Sequence, residues 1–397
     1  MRNILLAIII PLIALSFTGC LRGKKKAPEV KPVTKDYNRP LAPGEQALVE
    51  VDMANVPDLA LTSDQRVQLQ QAIANSLKYL NTGSSSLKYP VGSITKDRVV
   101  RSLHALAELL QNTTDSQQFN AALKSRFSAF MSVGFDRKGG VLFTGYYTPI
   151  FNASTTPDGT YRYPLYKRPA DLVNGATQDD IAMRRLPDGT MTPYPARAEL
   201  ETSGELRGQE LIYFADPYEA YIVEVQGSAK VILPNGSMME VGFNGTNNHR
   251  YHPIAMDLVN EGKLRKEDLN LANVRKYFQE NPQDLVAYRQ RNPRFIFFTQ
   301  VKGGPFGSLG QPVTTDVSVA TDKSIFPPGA ACLVDTTAAT TNGRQGTYAA
   351  LRLDQDTGGG IRAAGRCDLY MGEGYGAEQR AGNQFAEGKM YYLLLKE

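Results

Sequence analysis

The segment Leu353-Asp-Gln-Asp-Thr-Gly-Gly-Gly-Ile-Arg-Ala-Ala-Gly-Arg-Cys-Asp-Leu-Tyr-Met-Gly372 decides how this chain of 397 residues is interpreted. It places three carboxylates, two arginines and five glycines between short runs in which apolar and polar residues alternate. Such alternation predicts β-strands. Glycine backbone lets a bulky ligand approach closely, and carboxylates beside such a gap often form an acid–base site.

The alternation predicts which side chains share a face. Arg352, Asp354 and Asp356 are expected on one polar face of the first strand, and Asp368 on the polar face of the second. An aspartate near glycine often caps its own loop, and this structural role is the favoured interpretation of Asp354. Asp368 lies inside a strand, where aspartate is disfavoured, so a functional role is expected.

The tripeptide Asp356-Thr-Gly358 also matches the motif of aspartic proteases. That chemistry needs two carboxylates that share one proton, and therefore two such loops. The chain has no second Asp-Thr-Gly or Asp-Ser-Gly, so only a dimer could complete the site. The sequence disfavours this class of enzyme.

The N-terminus predicts a targeting segment. Arg2 precedes an apolar run over residues 4–15 that is too short to span a membrane comfortably, and Phe-Thr-Gly-Cys20 follows. This pattern resembles a bacterial lipoprotein cleavage box. We expect residues 1–19 to be a signal peptide, Cys20 to carry lipid, and residues 20–45 to be a tether. An uncleaved N-terminal anchor is the alternative.

Charge and composition limit the function. Removing the signal peptide with its Arg2 leaves 43 basic against 40 acidic residues, which disfavours nucleic acid as a partner. Cys332 and Cys367 are either bridged or two free buried thiols. The histidines 104, 249 and 252 do not match the spacing of a zinc site, so no metal and no cofactor are expected.

Hydrophobic periodicity divides the chain in two. Helix-spaced apolar stripes follow Asp64, Asp97 and Asp115, and predict an N-terminal helical part. From Gly139 onward strands dominate, and the run Tyr221–Gln226 is expected to be one of them.

Several motifs together resemble the bacterial membrane-bound lytic murein transglycosylase A family. They are Phe143–Pro149, Arg197–Glu199, Val225–Ser228, Asn292–Phe298, Ser318–Asp322, Pro327–Gly329 and Asp354–Arg362 with Gly365–Asp368. They span roughly residues 140 to 395. The chain departs from the family at Ala229, Gly360 and Thr321, but none of these changes removes a carboxylate.

The resemblance implies a mainly β fold with N-terminal helices. A double-psi β-barrel catalytic domain would be assembled from residues 46–148 and 299–397. A second β-barrel domain, residues 149–298, would be inserted between them and bind the substrate. The groove between the two domains would bind the glycan strand of peptidoglycan.

The family's three named aspartates correspond to Asp322, Asp356 and Asp368, and its single catalytic acid to Asp368. Cleavage of a glycosidic bond needs a protonated acid at the leaving oxygen. Burial or a second carboxylate raises the pKa of an aspartate enough for that role. Asp356 and Asp322 are candidates for that second carboxylate, or they hold the loop through backbone N–H groups.

Residues in the matched motifs are expected to contact the sugar. They are Thr144, Tyr146, Gln226, Gly227, Ser228, Gly358 and Gly359. For Tyr146, ordinary packing in the barrel is an equally good interpretation.

The expected reaction cleaves the β-1,4 bond between N-acetylmuramic acid and N-acetylglucosamine and forms a 1,6-anhydro ring. Two alternatives remain: an inverting glycoside hydrolase of a β-1,4 glycan, and a non-catalytic lipoprotein that only binds the cell wall. The resemblance implies an outer-membrane lipoprotein, anchored through Cys20 and facing the periplasm. We expect a monomer.

Overall fold

The computed structural model describes residues 35–175, 180–339 and 345–397. The expected signal peptide, Cys20 and most of the tether lie outside these residues. Contacts divide the chain into the units Met1–Lys35 and Asp36–Glu397, and every assigned helix and strand belongs to the second. Within the described ranges, none of the helices combines the length and the apolar character needed to cross a bilayer.

Helices dominate the N-terminal part, as the sequence predicts. They are α1 (Ser63–Leu80), α2 (Gly83–Ser86), α3 (Lys96–Asn112) and α4 (Ser116–Arg126). The first begins with a capping box: the side chain of Thr62 accepts a hydrogen bond from the Gln65 N–H, and the side chain of Gln65 accepts one from the Thr62 N–H. The side chain of Asp115 caps α4.

The remaining elements are mostly strands. The strands are β1 (Leu48–Val51), β2 (Phe127–Ser132), β3 (Val141–Thr148), β4 (Ile150–Ser154), β5 (Tyr163–Tyr166), β6 (Leu172–Val173), β7 (Met183–Arg185), β8 (Met191–Pro193), β9 (Glu210–Phe214), β10 (Ser228–Ile232), β11 (Met238–Thr246), β12 (Ile296–Val301), β13 (Ser318–Ala320), β14 (Ala331–Ala339), β15 (Gln345–Asp356), β16 (Arg366–Glu373) and β17 (Phe385–Leu395). The later helices are α5 (Arg197–Ser203), α6 (Pro217–Gln226), α7 (Ile254–Asn260), α8 (Leu271–Glu280), α9 (Pro282–Arg291) and α10 (Gly374–Asn383).

Six strands form a closed barrel. Their order is β17-β14-β15-β13-β16-β3, and β3 pairs with β17 to close the ring. The pairs β3–β16 and β13–β15 are parallel, whereas the other pairs in the ring are antiparallel. One strand comes from the N-terminal half and five from the C-terminal third. The barrel predicted from two distant segments is therefore confirmed.

A second sheet lies between these segments in the sequence. Its order is β12-β11-β10-β4-β9-β5, and a bridge between Lys167, just after β5, and Phe298 in β12 joins its two edges. A small sheet, β6-β7-β8, adjoins it in sequence. The expectation of a second, inserted β-barrel is confirmed.

The expected strand at Tyr221–Gln226 is wrong, because these residues end helix α6. Asp216 caps this helix through the N–H of Tyr218, and Pro217 occupies its first turn. The strand-like pattern of apolar residues over 221–226 arises because side chains are buried on more than one face of this helix. The helix stops at Gly227, whose φ of 82° is in the left-handed region.

Arg197 holds the inserted part together. Its guanidinium is 1% exposed and donates hydrogen bonds to Glu224 in α6 at 3.1 and 2.6 Å and to Glu201 at 3.2 Å. It also donates to the backbone carbonyls of Asn292 and Arg294 at 3.0 and 2.6 Å. One side chain thus fixes α5, α6 and the segment that enters β12.

We expect Arg197→Met to lower the free energy of unfolding by about 3–5 kcal/mol, because the Glu224 carboxylate would stay buried without its partner. Urea denaturation measures the loss. The control is Arg101→Met in α3, where the pair with Asp97 is 2.8 Å long but 47% and 77% exposed. That change should cost less than about 1 kcal/mol. Equal losses in the two variants would contradict this role of Arg197.

Candidate active site

Four residues on neighbouring strands form one row across the barrel, the catalytic row. Asp356 in β15 pairs with Ala320 in β13, Ala320 with Asp368 in β16, and Asp368 with Thr144 in β3. Paired residues on neighbouring strands face the same side of a sheet. Strands lie about 4.8 Å apart, so the backbones of the two aspartates are about 10 Å apart.

A β-bulge places Asp356 in this row. Along β13 and β15, Val319 pairs with Asp354 and the next residue, Ala320, pairs with Asp356, so Gln355 is the extra residue. The expectation that Asp354 and Asp356 share a face is therefore wrong, because the bulge shifts the alternation by one residue. The side chain of Gln355 is held by the Ala72 carbonyl of α1 at 2.7 Å.

Asp354 is a buried strand residue, not a loop cap. It accepts hydrogen bonds from the Thr321 hydroxyl at 2.9 and 2.8 Å and from the Tyr392 hydroxyl at 2.7 Å, and it forms an ion pair with Lys323. Burial raises the pKa of Asp354, and Lys323 opposes that shift. These contacts occupy both carboxylate oxygens, so Asp354 serves the barrel core.

Asp368 is the carboxylate best placed for acid–base chemistry. Its Oδ1 atom accepts a hydrogen bond from the Thr144 hydroxyl and lies 3.5 Å from a guanidinium nitrogen of Arg366. The same nitrogen donates to the Thr144 hydroxyl at 3.0 Å. The side chain is 18% exposed, so a ligand can reach it. Burial raises the pKa of Asp368, although Arg366 and Thr144 offset part of the shift.

Asp356 fastens two loops together. Its Oδ1 atom accepts backbone N–H groups from Thr357 and Ser308, both at 2.8 Å. Burial raises the pKa of Asp356, and these two N–H groups oppose the shift. Gly307 is packed so closely that a Cβ atom there would lie 2.6 Å from the Gln355 carbonyl oxygen. Asp356 therefore joins the loop before β13 to the glycine-rich loop.

Asp322 holds the far end of the glycine-rich loop. Its carboxylate accepts hydrogen bonds from the Ser324 N–H at 3.0 Å and the Ser324 hydroxyl at 2.6 Å. It also accepts the Ala363 N–H at 2.9 Å. Ala363 has a φ of 65°, which is costly for a residue with a side chain. These contacts favour the loop-holding interpretation of Asp322.

Tyr146 lies in the same face of β3 as Thr144. Its hydroxyl is buried and faces the carboxylate of Asp356. Burial and the negative charges of Asp356 and Asp368 raise the pKa of Tyr146, which places its hydroxyl near both carboxylates. The ring packs on Tyr370 with centroids 5.1 Å apart.

Three expected sugar contacts lie where α6 meets β10. The Gln226 side chain accepts the Tyr147 N–H at 3.0 Å, which ties the end of the helix to β3. A Cβ atom added to Gly227 would meet nothing within 4 Å, so this backbone is open. The Ser228 hydroxyl lies 3.4 Å from that of Thr148. The structure thus brings these residues to the end of the strand that carries Thr144.

The glycine-rich loop packs against the inserted part. A Cβ atom on Gly359 would lie 2.8 Å from the Nε atom of Arg294, and one on Gly360 would lie 3.3 Å from the ring of Tyr251. Glycine at 359 is explained by the approach of Arg294. A Cβ atom on Gly358 would meet only Ile361, at 3.2 Å. Direct sugar contact at these glycines stays a prediction.

The sequence analysis gave no site role to two residues near Asp368. Arg366 precedes it by two positions in β16, and the alternation predicts it on the same polar face, where the structure has it. Tyr251 comes from the segment after β11, which has no periodic pattern. Burial and the charge of Asp368 raise the pKa of Tyr251 to about 12.

The cysteines and acidic groups that the structure describes form neither a disulfide nor a metal site. Cys332 and Cys367 are free and buried, so of the two alternatives the structure has unbridged thiols. Burial raises the pKa of both thiols. In the part of the chain that the structure describes, no three His, Cys, Asp or Glu side chains come together as metal ligands.

Comparisons with known proteins agree with this geometry. Residues 142–299 match the family description "MltA specific insert domain", and residues 317–394 match "3D domain". The membrane-bound lytic murein transglycosylase A of Escherichia coli K12 is 30% identical over 270 residues, which are 67% of this chain and 68% of that protein.

Solved structures share the fold. A membrane-bound lytic murein transglycosylase from Agrobacterium tumefaciens has a TM-score of 0.72 at 23% identity and covers 88% of this chain and 98% of its own. E. coli MltA with bound chitohexaose has a TM-score of 0.67 at 24% identity, over 92% and 98% of the two chains. Sequence and fold together place the chain in the membrane-bound lytic murein transglycosylase A family.

Proposed function

We propose that Asp368 serves as both the acid and the base of a single active site. As a member of its family, the protein is a lytic transglycosylase, a lyase that cleaves the glycan strands of peptidoglycan. The observation that carries the assignment to Asp368 is its position in the catalytic row. There its carboxyl is accessible to a ligand, and burial raises its pKa.

In the first step, protonated Asp368 donates its proton to the oxygen that leaves from C1 of N-acetylmuramic acid. The β-1,4 bond to N-acetylglucosamine then breaks through an oxocarbenium-like state. An aspartate with an ordinary pKa would be ionised at neutral pH. The raised pKa of Asp368 keeps more of the acid form available, and activity should decline as the pH rises through that value.

In the second step, the Asp368 carboxylate takes the proton from the C6 hydroxyl of the same sugar. The C6 oxygen bonds to C1, which closes the 1,6-anhydro ring and returns Asp368 to its acid form. The proton balance is complete without water, so one carboxyl suffices, whereas a hydrolase needs two at the bond.

The neighbours of Asp368 have positioning roles in this proposal. Thr144 and Arg366 bind the carboxylate and fix its orientation. Asp356 and Asp322 bind backbone N–H groups and hold the glycine-rich loop. Both oxygens of Asp322 and the Oδ1 atom of Asp356 are engaged in these contacts, which supports Asp368 as the reacting carboxyl.

Sugar binding is proposed for the end of β3 and the adjoining insert. Tyr146 offers a buried hydroxyl. Gln226, Gly227 and Ser228 present a side-chain amide, open backbone and a hydroxyl at one place. Gly358 and Gly359 would bring the backbone of the glycine-rich loop against the glycan strand.

The two parts of the chain have different roles in this arrangement. In our proposal residues 46–148 and 299–397 carry the acid, and the inserted residues 149–298 contribute to the glycan groove. The approach of Arg294 and Tyr251 to the glycine-rich loop supports a groove between the two parts.

Asp368→Asn should fold normally and lose activity on purified peptidoglycan by about 100- to 10,000-fold, because the amide cannot exchange the catalytic proton. Release of soluble muropeptides measures activity, and a thermal melt checks the fold. Asp64→Asn, an exposed change in the first turn of α1, is the matched control. Activity of Asp368→Asn within a few-fold of the parent would remove Asp368 from the acid role.

Digestion in oxygen-18 water distinguishes the transglycosylase from an inverting hydrolase. We expect muropeptides that end in 1,6-anhydro-N-acetylmuramic acid, lighter than the hydrolysed form by one water and free of label. Mass spectrometry reads both properties. Label at new reducing ends would show that water attacks C1, and would recast Asp356 or Asp322 as the base that activates it.

Membrane association agrees with the family. From the sequence we propose how the protein is attached and in which membrane it lies. Cys20 would carry the lipid, and the protein would be anchored in the outer membrane, facing the periplasm, as a monomer. The support is the cleavage box that ends at Cys20 and the basic, proline-containing stretch after it.

Cys20→Ala combined with an ordinary cleavable signal should give a soluble periplasmic enzyme that keeps its activity. Each buried lipid methylene contributes about 0.8 kcal/mol to anchoring, so loss of the acyl chains releases the protein. Cell fractionation with activity assays measures the outcome. Retention in the membrane fraction would mean that another segment anchors the chain.

A further inference from the structure

The catalytic row extends by one strand to an exposed aromatic ring. Phe385, the first residue of β17, pairs with Thr144 of β3, which in turn pairs with Asp368. The ring of Phe385 therefore faces the same side of the barrel as the Asp368 carboxyl. Phe385 is 62% exposed although it lies beside the site. Its backbone is about 10 Å from that of Asp368, two strands away.

The N-terminal segment supports this ring. Tyr37 meets Phe385 edge to face, with centroids 6.5 Å apart and planes at 89°. It also packs on Phe135, with centroids 4.8 Å apart, and its hydroxyl donates to Glu387 at 2.6 Å. A Cβ atom on Gly365 would lie 2.6 Å from the Tyr37 carbonyl oxygen, so the segment is seated closely on the barrel.

Polar groups surround the aromatic pair. Arg366 follows the glycine-rich loop, and its positive charge lies near enough to Tyr37 to oppose the rise in the pKa of that hydroxyl. Glu387 lies two residues after Phe385, on the same face of β17. An exposed ring beside charged hydrogen-bonding groups matches a pyranose, which has apolar C–H faces and a rim of hydroxyls.

We propose that Phe385, positioned by Tyr37, stacks on a sugar ring of the glycan strand on the β17 side of Asp368. The inference rests on the proposed function and adds a subsite to it. We expect a saccharide unit at this subsite because the Phe385 ring continues the catalytic row. A glycan strand that reaches Asp368 can therefore extend over the Phe385 ring. Single exposed apolar residues are ordinary on protein surfaces, but this one is buttressed and lies beside the reacting carboxyl.

Binding is tested with chitohexaose, a soluble N-acetylglucosamine oligomer, and full-length protein in detergent. Asp368→Asn is the parent, so that the ligand is not consumed during calorimetry. Adding Phe385→Ala should weaken binding about two- to tenfold, the range that an aromatic contact contributes. Phe385→Tyr should restore the affinity. Leu87→Ala is the control, because Leu87 is 86% exposed but lies at the end of α2 in the N-terminal helical part. Thermal melts of all variants check the fold.

Kinetics of the active enzyme separate binding from chemistry. Phe385→Ala should raise KM for solubilised glycan strands and leave kcat close to that of the parent. Unchanged affinity and KM in Phe385→Ala would overturn the inference, as would equal losses in Leu87→Ala or failure of Asp368→Asn to bind chitohexaose. Failure of the proposed function has a different result, since Asp368→Asn would then still cleave peptidoglycan.

Discussion

The parallel pairing of β3 with β16 is the interaction on which the site depends. It joins Thr144 to Asp368, residues that are 224 positions apart in the chain. Parallel strands need a long connection, and here that connection contains the whole inserted sheet. The same pairing places Tyr146 beside Tyr370. One ladder of backbone hydrogen bonds thus fixes Asp368, its hydroxyl partner and the entrance to the insert.

The barrel separates carboxylates that are close in sequence. Asp354 is saturated by a lysine and two hydroxyls in the core, whereas Asp356, two residues later, binds loop backbone on the face of Asp368. Burial raises the pKa of all three, so their roles differ through their partners and their access to ligand. A bulge of one residue, Gln355, produces this separation.

Local patterns predicted much of this fold and less of the site. Helix stripes and alternating strands were readable because they depend on neighbours in sequence. The helix that contains Tyr221 was missed because its apolar residues are buried on more than one face. The bulge at Gln355 and the approach of Tyr251 to Asp368 depend on strand register and on contacts between distant segments, which no local pattern encodes.

The order of strands in the ring constrains how the protein is made. Translation delivers β3 early, but both of its partners, β16 and β17, belong to the last part of the chain. The barrel cannot close around Asp368 until synthesis is nearly complete, and such non-local pairing folds slowly. A nascent or truncated chain therefore holds no assembled site, because Asp368 meets Thr144 only after the last strands of the chain have been made.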